Sequence, residues 1–126
     1  AQADRTLILL ADDDRGVLTS CKALLEAASY AVLLASDGKE AIAHLKAERR
    51  IQLCLLDVMM PGMTGLETLV LSKLERPSML VALMSGNSAY EEHALKSGAD
   101  AFLPKPVEEH LLLGTLSRLL SDPPRG

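Results

Sequence analysis

Three consecutive carboxylates, Asp12, Asp13 and Asp14, follow directly on the apolar run Leu7-Ile8-Leu9-Leu10-Ala11. Asp57 follows a second such run, residues 51–56. Ser85, with Gly86 and Asn87 behind it, follows residues 79–84, and Lys105, between Pro104 and Pro106, follows Ala101-Phe102-Leu103. Each alone has an ordinary structural explanation: an Asp caps a helix or opens a turn, a Ser turns the chain, a Lys is solvated. Gathered at one place they would do chemistry. Neighbouring carboxylates repel by about 4 kcal/mol per close pair at an effective dielectric near 20. Such a cluster suits a hard divalent cation, and Mg²⁺ fits a site of few protein oxygens, because it keeps waters and shares phosphate oxygens. Lys105 adds a point charge for a phosphoryl oxygen, and Ser85 a hydroxyl. These are the parts of a phosphoryl-transfer site, where catalysis is positioning plus charge stabilisation. His44, His93 and His110 fall inside helix-period segments. A carboxylate is therefore the expected nucleophile, giving an aspartyl phosphate.

What must gather them is a set of alternating strands and helices. Apolar runs lie at residues 7–11, 30–35, 51–56, 79–84 and 101–103. Between them Val17, Leu18, Cys21, Leu24, Leu25 and Ala28 recur at the spacing of one helix face, as do Ala41, Ile42 and Leu45, then Leu69, Val70 and Leu74. Asp37-Gly38-Lys39-Glu40 and Thr64-Gly65-Leu66-Glu67 read as capping boxes, and Ser88-Ala89-Tyr90-Glu91 as the cap of a short helix that Gly98 ends. A last helix carries Val107, Leu111, Leu112, Leu116, Leu119 and Leu120. This is β-α five times. Nearly all-apolar strands alternating with helices predict a parallel sheet buried on both faces, with right-handed crossovers. In such a sheet all strand C-termini open onto one edge, where ligands bind. The second strand delivers only Ser36 and Asp37, which read as a helix cap. With that strand on the outside, the other four ends are contiguous.

The chain has 126 residues, of which 48% are hydrophobic and 24% charged, ordinary values for one globular domain. A net charge of −4 and 2% aromatics argue against a nucleic-acid surface. No apolar run approaches the ~18 residues of a membrane span. Cys21 and Cys54 sit in apolar periodic segments and read as reduced core residues in a reducing compartment. The tail Asp122-Pro123-Pro124-Arg125-Gly126 reads as the start of a linker, which makes residues 1–126 one domain with a core of about 6–120, expected to be excised from a longer chain.

The stretches Leu7-Ile8-Leu9-Leu10-Ala11-Asp12-Asp13-Asp14, Leu55-Leu56-Asp57-Val58-Met59-Met60-Pro61-Gly62-Met63-Thr64-Gly65, Met84-Ser85-Gly86 and Gly98-Ala99-Asp100-Ala101-Phe102-Leu103-Pro104-Lys105-Pro106 resemble the CheY-like receiver domain of two-component response regulators. The resemblance implies a doubly wound (βα)5, flavodoxin-like three-layer α/β sandwich with strand order 2-1-3-4-5. It makes Asp57 the phosphoacceptor and Asp12 and Asp13 the acid pair, Asp13 binding Mg²⁺ directly and Asp12 through water. The backbone carbonyl of Met59 is implied as a further ligand, Lys105 and Ser85 as contacts of the phosphoryl group, Phe102 as the aromatic switch partner of Ser85, and Lys105-Pro106 as a cis bond. Asp14 reads as a helix N-cap. Asn87 either orients hydrolytic water or merely turns the chain, and Phe102 either rotates or is a static core ring.

The resemblance implies a cytoplasmic phosphorelay module that takes a phosphoryl group from a histidine kinase or phosphotransfer protein. It then switches an effector domain in the same chain or a partner, with phosphorylation-dependent homodimerisation as one output. The module assists its own phosphorylation and dephosphorylation without being an enzyme in its own right, and it contacts neither nucleic acid nor membrane. Two alternatives remain at the level of sequence. One is a haloacid-dehalogenase-type aspartyl phosphatase, which wants a late acidic pair where only Glu108, Glu109 and Asp122 stand; the other is a receiver-like binding module that is not phosphorylated.

Overall fold

In the computed structural model residues 5–121 are described. The elements alternate strictly: β1 (Leu7–Ala11), α1 (Arg15–Ala27), β2 (Ala31–Ala35), α2 (Gly38–Ala47), β3 (Ile51–Asp57), α3 (Gly65–Glu75), β4 (Leu80–Ser85), α4 (Tyr90–Lys96), β5 (Ala101–Pro104) and α5 (Glu109–Ser121). The strands form one sheet in the order β2-β1-β3-β4-β5, with every neighbouring pair parallel. The chain leaves β1 for β2 on one side and returns to β3 on the other, so the order reverses around β1. The tail from Asp122 onward lies outside the described residues.

Because side chains alternate along a strand, the sheet feeds two separate cores. Leu9, Cys54, Leu56, Val81 and Leu83 pack with Ala41, Leu45, Leu69 and Ala94 of α2, α3 and α4. Ile8, Leu10, Leu53, Leu55 and Met84 pack with Cys21 and Leu25 of α1 and with Leu112 and Leu116 of α5. Cys21 and Cys54 are buried, unbridged and on opposite faces of the sheet. Central β1 and β3 are sealed on both faces from Ile8 to Ala11 and from Leu53 to Leu56, which explains their apolar runs there, while Gln52 at the entry to β3 is exposed.

The helix starts differ from one another in instructive ways. Asp14 caps α1, its carboxylate accepting from the amides of Gly16 (2.8 Å) and Val17 (3.3 Å). Thr64 and Glu67 form a complete reciprocal box on α3. At α2 Asp37 accepts from the Glu40 amide, but Glu40 reaches one residue further back, to the amide of Ser36. The capping role expected of Ser88 is not met. α4 begins from Ala89 with no side-chain cap, and the Asn87 carboxamide oxygen takes the Ala89 amide instead (3.0 Å). An Asx turn one residue earlier has displaced the serine. Gly98 ends that helix with a φ of +109°, where a side chain would be strained.

α3 also departs from the simple apolar-stripe reading. Its buried face is Gly65, Thr68, Leu69 and Ser72, while Val70 and Leu74 are exposed. Thr68 and Ser72 satisfy their hydroxyls on the helix's own carbonyls of Thr64 and Thr68. A small face lets α3 lie close to α2, where Gly38 faces the Thr68 side chain.

Candidate functional site

Register decides which strand ends become neighbours. Ala11 of β1 is level with Leu56 of β3, so the residues that follow, Asp12 and Asp57, stand side by side. Asp57 is level with Met84, so Ser85 lies one step beyond it, and Ser85 is level with Pro104, whose successor is Lys105. The four sequence-distant groups thus meet at one edge without any loop having to reach. Carboxylate oxygens of Asp12, Asp13 and Asp57 all lie within 4.8 Å of one another. Asp12 is fully buried and Asp57 nearly so, whereas Asp13 is exposed at the mouth.

The ammonium of Lys105 reaches across this edge. Its Nζ is 2.7 Å from Asp12 Oδ2 and 3.1 Å from Asp57 Oδ1. Asp12 Oδ2 has no hydrogen-bond donor upon it besides this ammonium, while Asp12 Oδ1 accepts from the Asp14 amide at 2.9 Å. Burial raises the pKa of Asp57, the nearby charge of Asp12 raises it further, and Lys105 and the Met59 amide pull it back only in part. Burial works to lower the pKa of Lys105, yet the hydrogen bond and charge of Asp12, then of Asp57, outweigh it and the ammonium is held. The pocket is thus short of positive charge: one cation serves three carboxylates. Three oxygen donors, two of them buried and repelling, are the donor set of a hard divalent cation.

Ser85 is buried, and its Oγ accepts from the Asn87 amide at 3.0 Å. Asn87, accepting from Ala89, has the geometry of a turn residue. Phe102 is half-buried and packs against the core under α2, α3 and α4, level with Leu83. The Lys105-Pro106 bond is cis. Met59 is 58% exposed, and its sulfur receives the Tyr90 hydroxyl at 3.5 Å. Glu108, one of the acids a phosphatase would need for metal, instead accepts from the amides of His110 and Leu111 at the start of α5.

Two supporting residues escape the sequence reading. Gly65 lies so close to the end of β3 that a Cβ would run into the carbonyl of Asp57 and the Cα of Val58, and its amide donates to Val58 O at 2.8 Å. In the sequence Gly65 stands only as a member of the Thr64 capping box and of the receiver-like stretch that follows Asp57, with no role of its own. Arg76, which follows α3, donates to four backbone carbonyls: Arg49 (2.8 Å), Ile51 (3.1 Å), Leu45 (3.1 Å) and Glu48 (2.7 Å). It ties down the end of α2 and the entry to β3 at the edge opposite the acid cluster, and no local pattern announces it.

Residues 8–117 match the family described as the response regulator receiver domain. Among curated proteins, the transcriptional regulatory protein CpxR of Escherichia coli K12 is 36% identical over 114 residues, covering 90% of this chain and 48% of that protein. The transcriptional regulatory protein ZraR of Escherichia coli O157:H7 is 38% identical over 120 residues, covering 94% of this chain and 27% of that protein. A receiver domain protein (CheY-like) from Methanospirillum hungatei superposes with a TM-score of 0.84 at 33% identity, covering 93% of this chain and 94% of that one. The chain spans about half the length of the first of these curated relatives and about a quarter of the second.

Proposed function

We propose, from the premise that this chain belongs to the response regulator receiver domain family, that Asp57 accepts a phosphoryl group from phosphohistidine on a partner kinase or phosphotransfer protein. The observation that carries this reading is the placement of the Lys105 ammonium between Asp12 and Asp57, beside a three-carboxylate cluster at the strand ends. As a receiver the chain is a signalling module of a two-component system.

An oxygen of Asp57 attacks phosphorus in line, the P–N bond to the donor imidazole breaks, and the imidazole takes up a proton as it leaves. Lys105 gives up part of its hold on Asp57 to face the transferred oxygens, and Ser85 exchanges its Asn87 contact for one of them. Asp12, Asp13, Asp57 and the Met59 carbonyl would hold Mg²⁺, which supplies positive charge against the developing charge of the phosphoryl group. The acyl phosphate then biases two arrangements of the segment from Ser85 to α4 and of the Phe102 ring, through its differential contacts with each. Residues 1–126 act as a single receiver with a core of about 6–120, and an effector segment, not this acidic domain, carries the output. Homodimerisation on phosphorylation and a cytoplasmic setting complete the reading. No described helix is long and apolar enough to cross a membrane.

The test is mass spectrometry with a small phosphodonor and Mg²⁺. One phosphoryl group is expected on the wild type and almost none on Asp57→Asn. Equal labelling of the two overturns the assignment of Asp57. Repeated turnover of phosphate esters would favour a phosphatase instead.

A further inference from the structure

All five methionines fall within the described residues, and they differ sharply in exposure. Met60, Met79 and Met84 are buried, Met63 is half-buried, and Met59 alone stands well out, at 58%. Its thioether is also the only one among them with a hydrogen-bond donor upon it, the Tyr90 hydroxyl at 3.5 Å. The contact joins the loop that follows Asp57 to the first residue of α4. Within the segment from Ser85 to α4 the chain is held by its own turns, Asn87 bonding to Ser85 and Ala89 and the Tyr90 amide to Asn87 O, while the Tyr90–Met59 contact ties it to the β3–α3 loop. α4 has no side-chain cap, and Ser88 and Ala89 are exposed.

We infer that Met59 is a peroxide-sensitive site whose sulfoxide is gripped by the Tyr90 hydroxyl, so that oxidation fastens the β3–α3 loop to the start of α4. A thioether sulfur is a weak acceptor, whereas a sulfoxide oxygen is a strongly polar one. The reaction is a two-electron oxygen transfer. A sulfur lone pair attacks one oxygen of hydrogen peroxide, the O–O bond breaks, the proton on the transferred oxygen passes to the departing hydroxide, and the sulfur keeps that oxygen while water leaves. Sulfoxide reductases return the thioether, each acting on one sulfur epimer. Of the two epimers, the one whose oxygen points at Tyr90 makes the grip. The same residues flank Asp57 and Ser85, so the fastened form restricts the segments that must move around the phosphoryl group; this last consequence rests on the receiver reading above.

The experiment oxidises the chain with limiting hydrogen peroxide and maps the added oxygen by peptide mass spectrometry. Met59 is expected to be modified ahead of Met63 and well ahead of the buried three. Hydrogen exchange at the amides of Tyr90 to His93 should then slow by roughly two- to tenfold, the range of one net hydrogen bond. In Tyr90→Phe, Met59 should still oxidise but the protection should vanish, and in Met59→Leu the oxidant should change nothing at α4. Oxidation of Met63 as fast as Met59, or equal protection in Tyr90→Phe, overturns the inference. Loading of the chain by a small phosphodonor is read in parallel, with slower loading expected of the oxidised form. Absence of phosphorylation in both forms would overturn the receiver reading and leave the exchange data to decide the redox contact alone.

Discussion

Replacing Lys105 by Met tests the electrostatic design of the site directly. The substitution keeps most of the apolar stem and removes the ammonium that lies 2.7 Å from Asp12 and 3.1 Å from Asp57. At an effective dielectric near 20 those contacts are each worth about 5–6 kcal/mol of Coulomb attraction, against about 3.5 kcal/mol of repulsion for two carboxylates 4.8 Å apart. The cost of desolvating Lys105, whose side chain is 21% exposed, offsets much of the attraction. What remains after removal is two buried carboxylates with no cation. A loss of about 3 kcal/mol is expected without metal, the low end for breaking a buried pair. With a slope of about 2 kcal/mol per molar urea, the unfolding midpoint in chelator should fall by about 1.5 M. In an Asp12→Asn background the same substitution should cost at least 1 kcal/mol less, since one of the two stranded charges is gone. Mg²⁺ should recover more stability in Lys105→Met than in the wild type, because it replaces the missing charge. An unchanged midpoint in chelator, or an equal loss with and without Asp12→Asn, would refute the account of Lys105 as counter-ion to both acids.

Arg76→Met should destabilise the fold by about 2–4 kcal/mol, less than the sum of four charge-assisted bonds because the freed carbonyls can partly find water; urea unfolding measures it, and a change under 0.5 kcal/mol would mean the clamp is ornamental. Gly65→Ala should cost about 1–3 kcal/mol through forced backbone displacement at the end of β3, and should slow phosphodonor labelling of Asp57 as well. Labelling at the wild-type rate in a destabilised variant would separate the two roles. Burial pushes the Cys54 thiol up to about 12 from its ordinary 9.0. Between pH 9 and 12 the native thiol keeps its proton while the unfolded one loses it, so stability is at its full value below pH 9 and falls as pH climbs toward 12. Cys54 should therefore resist alkylation at neutral pH until the chain unfolds, which thiol labelling across a urea gradient would show; rapid native labelling counts against the packing under α3.

The amino-acid sequence determined what is local. Five apolar runs read as strands of a parallel sheet, and the segments between them carried helix spacing; the outer strands β2 and β5 are less fully buried than that reading implies. Asp14, Asp37 and Thr64 cap helices because a short polar side chain can reach its own backbone a few residues on. The acids, Ser85 and Lys105 were legible because a parallel sheet sends all its strand ends to one edge, a rule that needs no coordinates. The sheet order came by resemblance to a family, since nothing in the residues of β2 says that it lies outside β1. Ser88 shows where local reasoning loses: Asn87 offered the backbone a competing turn one residue earlier, and only the geometry of the folded loop chose between them. Tertiary structure alone decided the rest. The carbonyls held by Arg76 are 25 to 31 residues away in sequence, Tyr90 meets Met59 across 31, and Gly65 is needed because the end of β3 passes within reach of it. Contacts of that span leave no periodicity, because they depend on where two elements come to rest after packing, and it is burial that sets that distance.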